Sequence, residues 1–238
     1  MIGILDSGEG GMNAARYLEK STDESIIFFP DRKNAPYGTK TREELIALTE
    51  AGIGRLTDAG ADRVLIACCT AGTVFSELKK EYREISFPLI SPTARTALKA
   101  TKTGRIALIA TNATVSSGAF EEEIKKQTSS LGKSCSLLSI RAQSLVEIVE
   151  REARGEDKSP EKSEIIREVL RDIKGSGADT LILGCTHFPS LEEDIKMIVG
   201  ELGVRTLISS VKEGVKAFLK ENPPKERQKR KIFLSLRG

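Results

Sequence analysis

The sequence has no tryptophan, one histidine and only 5% aromatic residues among its 238 positions. Nowhere does it carry the roughly 18 consecutive apolar residues of a membrane-spanning helix, so no membrane partner is expected. One histidine, His187, and four cysteines leave a zinc site of the usual nitrogen and sulfur ligands needing nearly every candidate at once, and no metal is assigned. Those cysteines, at 68, 69, 135 and 185, show no framework spacing, and the adjacent Cys68 and Cys69 are poorly placed to bond each other, so reduced thiols are expected. The opening MIGILDSGEGG lacks the charged leader and cleavage site of a signal peptide, which points to the cytoplasm. Lys plus Arg outnumber Asp plus Glu by 37 to 34, a net +3 too small to make nucleic acid a default partner. The one densely basic stretch, Glu221 to Lys231, reads as a solvated loop before a last strand.

What is present is an alternation of short β-rich runs with longer segments of helical period, the pattern of βα units around parallel sheets. Runs such as VLIA and LILG are apolar throughout, as strands buried on both faces are. The most informative feature is a repeat. GADRVLIACCT at 60–70 and GADTLILGCTH at 177–187 share Gly-Ala-Asp, a buried four-residue strand, a small residue and then cysteine, which pairs Cys68 with Cys185. IGILDSGEGG and RIALIATNATVSSG likewise each lead from a strand through a Ser, Thr and Gly loop into a helix. The expected fold is α/β, with two pseudo-symmetric domains whose mainly parallel sheets face each other across an active-site cleft. Residues 1–92 with 208–238 form the domain carrying Cys68, and residues 93–207 the one carrying Cys185, with a linker around Pro92 and Thr93 between them.

Ligands of open α/β sheets bind beyond the carboxyl ends of the strands, where Cys68 and Cys185 both fall. A lone cysteine there is commonly an inert small hydrophobe. Two in repeat-equivalent places suit a reaction in which one face of a carbon loses a proton and the opposite face gains one, with one thiolate as general base and the other thiol as general acid. That is racemisation. A cysteine protease needs a separately supplied histidine, and His187 stands only two residues beyond Cys185. Cys135 reads as core, and strand alternation turns Cys69 away from Cys68, making it a neighbour of the site and not a proton carrier.

With DSGEGG at 6–11, PYGTK at 36–40, IACCTA at 66–71, TNATVSSGAF at 111–120 and LGCTHFP at 183–189, the chain resembles the aspartate/glutamate racemase family from Ile2 to about Ile208. The resemblance implies a cofactor-independent, metal-free isomerase that interconverts L- and D-glutamate and supplies D-glutamate for peptidoglycan. It further implies a free amino acid as the partner, a homodimer, and proton transfer by Cys68 from the D-enantiomer and by Cys185 from the L-enantiomer. Asp6, Glu150 and His187 would assist. Substrate contacts would fall on Asp6, Ser7, Pro36, Tyr37, Gly38, Cys69, Thr70, Thr114, Thr186 and His187. Each has a plainer reading: Asp6, Ser7, Thr70 and Thr186 as helix caps, Pro36 and Tyr37 as a turn, Glu150 as solvated surface.

The chain departs from the family pattern at Cys69, where the family usually has Asn, and at PDRKNAPYG, which brings in Arg32 and Lys33. GCTH in the second motif favours glutamate over the aspartate-specific branch, which usually has GCTE. A degenerate amino-acid-binding homologue is the alternative from another class. A dinucleotide fingerprint, suggested by IGIL, a Gly-rich turn and the later Asp31, fails because Asn13 takes the third glycine position and Glu9 would repel a pyrophosphate.

Overall fold

The structure, a computed structural model, describes residues 1–131, 134–156, 162–223 and 232–236. In chain order its strands are β1 (Ile2–Asp6), β2 (Ile26–Pro30), β3 (Arg63–Ile66), β4 (Ser86–Pro88), β5 (Arg105–Ala110), β6 (Ser136–Arg141), β7 (Thr180–Leu183), β8 (Thr206–Ser209) and β9 (Phe233–Ser235). The helices are α1 (Gly11–Ser21), α2 (Arg42–Asp58), α3 (Cys69–Gly72), α4 (Lys80–Ile85), α5 (Ile90–Ala100), α6 (Asn112–Ser116), α7 (Ala119–Leu131), α8 (Gln143–Ala153), α9 (Lys162–Leu170), α10 (Glu192–Glu201) and α11 (Ser210–Glu221). The chain divides into two compact units, Met1–Leu89 with Val211–Gly238, and Ile90–Ser210.

Each unit is a parallel sheet with helices on both faces. The first sheet runs β4-β3-β1-β2-β9 and the second β6-β5-β7-β8. Register shows the duplication residue by residue. Ile2 pairs with Arg63 and Ile106 with Thr180, and Arg63 and Thr180 hold the same place in the Gly-Ala-Asp repeat. It follows that Ile2 corresponds to Ile106, Asp6 to Ala110 and Ser7 to Thr111. Counted from β4 and β8, the two orders are then the same, and β9 is an addition to the first sheet.

Period-two alternation divides each strand between two cores. In the first unit Ile4, Leu65 and Ala67 pack with α1 and α11 through Ala15, Leu18, Val211 and Phe218, whereas Leu5, Val64 and Ile66 pack with α2 through Leu45, Ile53 and Leu56. The second unit places Ile109, Leu181 and Leu183 against α8, α9 and α10, and Leu108 and Ile182 against α5 and α7.

Local boundaries differ from the sequence reading where a few residues decide them. The expected linker at Pro92 and Thr93 is helical, inside the first turn of α5, where proline's missing N–H costs no hydrogen bond. The Ser, Thr and Gly loop expected after RIALIA is in part helical, forming the short α6, and Gly118 with φ +67° separates it from α7. Cys135 is half-buried before β6, not core. Most of the basic stretch after Glu221 lies outside the described residues.

Asp179, from the second Gly-Ala-Asp, clamps the turn before β5. Its carboxylate accepts from Thr101 Oγ1 at 2.6 Å, Lys102 N at 2.7 Å, Thr103 N at 2.8 Å and Thr180 Oγ1 at 2.9 Å. Burial pushes this carboxyl up, but the four donors outweigh it and hold the pKa at about 2, below the ordinary 3.8. A depressed carboxylate stabilises the fold above its unfolded pKa and ceases to as pH falls through the folded one, so the contribution, about 2 kcal/mol, disappears between about pH 4 and 2. Asp179→Asn should unfold at lower temperature than the parent at pH 7, and the gap should close as pH approaches 2. Melting curves with a constant gap across that range would contradict the assignment.

Candidate active site

In the first unit the candidate residues gather at the carboxyl ends of three neighbouring strands. Asp6 ends β1, fully buried, and its Oδ1 accepts from Gly8 N at 2.9 Å, which turns the chain into the DSGEGG loop. Gly11 is required here, since a Cβ on it would collide with the Asp6 side chain. Ser7 follows, and the Cys68 thiol donates toward its Oγ at 3.5 Å. Cys68 precedes α3 with extended backbone and is 5% exposed. Alternation continues past β3: Cys68 joins the core of Leu5, Ile66 and Tyr37, and Cys69 joins the opposite core of Ile4 and Ala67. Thr70 is buried inside α3 and does not cap it. Beyond β2, a cis peptide bond joins Ala35 to Pro36, and Tyr37 and Gly38 open a short 3₁₀ turn.

In the second unit Cys185 follows β7 after Gly184, whose missing Cβ leaves room for Leu108 and the Ile109 carbonyl. Its Sγ lies 3.5 Å from His187 Nδ1, and His187 Nε2 lies 3.5 Å from Glu150 Oε1 on α8. The chain thiol, imidazole, carboxylate therefore runs from a 6% exposed cysteine to a 38% exposed glutamate. The neighbouring His187 imidazole pulls the Glu150 carboxyl below its usual range, against burial, with smaller help from Arg154. Thr114 and Thr186 are both buried in this unit, and Thr111 caps α6, accepting from Thr114 N at 3.2 Å.

Residues 17–218 match the Asp/Glu/Hydantoin racemase family. The chain belongs to that family. Among its racemase relatives, the glutamate racemase of Desulforudis audaxviator is 37% identical over 201 residues, 84% of this chain and 71% of the relative. A glutamate racemase of Bacillus anthracis superposes with a TM-score of 0.85 at 28% identity, covering 99% of this chain and 86% of that one. The racemase of Francisella tularensis, solved with D-glutamate, has a TM-score of 0.82 at 26% identity over 98% of this chain and 86% of its own.

Within this racemase fold the first unit holds Asp6, Ser7, Pro36, Tyr37, Gly38, Cys68, Cys69 and Thr70, and the second holds Thr114, Glu150, Cys185, Thr186 and His187. The sequence reading missed Asp31, a buried acid just beyond β2 that accepts from the Tyr37 hydroxyl at 2.9 Å. Its signal is an acid directly after the apolar run IIFFP. Among the described residues no three His, Cys, Asp or Glu side chains gather as metal ligands do, and no helix is long and apolar enough to cross a membrane.

Proposed function

We propose that the protein racemises glutamate without a cofactor, with Cys68 and Cys185 each serving one face of the α-carbon. The observation that carries this reading is the equivalence of the two thiols: each follows the corresponding strand of a duplicated sheet, and each has a polar partner within 3.5 Å, Ser7 or His187. In one direction the thiolate of one cysteine takes the α-proton, leaving a carbanion conjugated with the carboxylate. The thiol of the other then donates its proton to the opposite face. Protons balance, no electrons leave the substrate, and the two sulfurs end with exchanged protonation states.

The α-proton beside a carboxylate is a very weak acid, so the developing charge needs donors already in place. Hydroxyls of Ser7, Thr70, Thr114 and Thr186 and the amides around Tyr37 and Gly38 are assigned that role, with Pro36 and Cys69 as neighbours of the substrate. Asp6, Glu150 and His187 assist the thiols. Glutamate is the proposed substrate because the similar racemases carry that name and one was solved with D-glutamate. The family resemblance extends the proposal to a cytoplasmic homodimer that supplies D-glutamate for peptidoglycan.

The test is solvent deuterium uptake at the α-carbon of both enantiomers of glutamate and aspartate, with exhaustively chelated protein. Uptake into L- and D-glutamate, with aspartate exchanged far more slowly, is expected. Exchange of aspartate alone, or loss of activity restored by one metal, would overturn the proposal.

A further inference from the structure

Asp31 is 5% exposed, Tyr37 is 1% exposed, and the Tyr37 hydroxyl donates to Asp31 Oδ2 at 2.9 Å. Asn34 Nδ2 donates to both oxygens of the same carboxylate at 2.9 Å. The backbone around Asp31 is tied to the Asp6 loop, since Asp31 N donates to Asp6 O at 2.9 Å and Arg32 pairs with Glu9. The Tyr37 ring packs in the same core as Cys68. Burial first, and then the charge and hydrogen bond of Asp31, push the phenol far above its usual pKa, with smaller contributions from Cys68 and Asp6. The hydroxyl is thus a committed neutral donor.

We infer that Asp31 is a positioning residue: by taking the Tyr37 hydroxyl it fixes the ring in the core that Tyr37 shares with Cys68, so that Tyr37 lends the site its ring and backbone and not its hydroxyl. The effect on turnover rests on the racemase reading, whereas the positioning does not. A buried donor left without its acceptor is costly, while removal of both partners is nearly neutral. Asp31→Leu should therefore disturb the ring more than Asp31→Leu with Tyr37→Phe does.

The experiment measures iodoacetamide alkylation of Cys68 and Cys185 in the same sample by peptide mass spectrometry, beside KM and kcat for glutamate. Asp31→Leu should raise Cys68 alkylation at least about fivefold and leave Cys185 within about twofold. It should raise KM about tenfold while kcat changes less than about threefold. Adding Tyr37→Phe should reverse most of both changes, and Asp31→Asn, which keeps an acceptor oxygen, should stay near the parent. If Asp31→Leu does not fold, Asp31→Ser, too short to reach the phenol, is read in the same way. Equal changes at both thiols, no recovery in the double variant, or damage from Asp31→Asn equal to that from Asp31→Leu would overturn the inference. A parent protein that does not turn over glutamate would defeat the racemase reading alone, because alkylation still decides the positioning.

Discussion

Cys68→Ser and Cys185→Ser should each lower racemisation of glutamate by roughly 10³-fold, within the range expected when a positioned proton carrier is lost. Serine keeps the shape and a hydroxyl but is hardly ionised at neutral pH, so each variant loses a base without losing its fold. The losses should be one-handed in half-reactions. An analogue with a leaving group on the β-carbon needs only deprotonation to eliminate, so Cys68→Ser should retain elimination from the L-analogue and Cys185→Ser from the D-analogue. Both variants processing both enantiomers equally would end the two-thiol mechanism even if the parent is a racemase.

The second large effect is expected at His187. Its Nδ1 lies 3.5 Å from Cys185 Sγ and its Nε2 3.5 Å from Glu150, so one imidazole links the thiol to a carboxylate that stays charged well below neutral pH. His187→Asn should lower kcat about 10²-fold, an effect concentrated in elimination of the L-analogue. Glu150→Gln keeps the side-chain shape and removes the charge, and because Glu150 is 38% exposed a loss of only about tenfold is expected, with the same handedness. Equal loss for both enantiomers in either variant would show that His187 serves substrate binding and not the Cys185 thiol.

How legible the molecule was varied with the range of the interactions. Parallel sheets could be read from VLIA and LILG because burial on both faces leaves no polar position in the strand. Correspondence of Cys68 with Cys185 came from nine aligned positions, and the strand register carries it on to Ile2 and Ile106. The separation of Cys68 from Cys69 was likewise local, since alternation alone decides it. Where the reading slipped, the deciding contact was distant or conformational. Nothing near Pro92 says that α5 starts at Ile90, because proline is compatible with a helix start as well as with a loop. Glu150 reads as solvated surface from its helical pattern alone, because its partner, His187, lies far along the chain, and only the family resemblance singles it out. Asp31 stands out only in three dimensions, because the tyrosine that donates to it reaches it through the turn at Pro36.

The position of β9 also bears on how the chain matures. Ile90–Ser210 is one uninterrupted stretch, whereas the first sheet is finished by Phe233–Ser235 pairing with Ile26–Phe28, and Ile232 N reaches Ser25 Oγ across 207 positions. Loop-closure entropy must be met before such contacts return anything, which makes them late events in folding. During synthesis from the N-terminus, the segment bearing Cys185 can reach its final packing while the sheet bearing Cys68 still waits for α11 and its edge strand. The half made first is the half completed last, so its apolar edge along β2 is the surface that a nascent chain exposes longest.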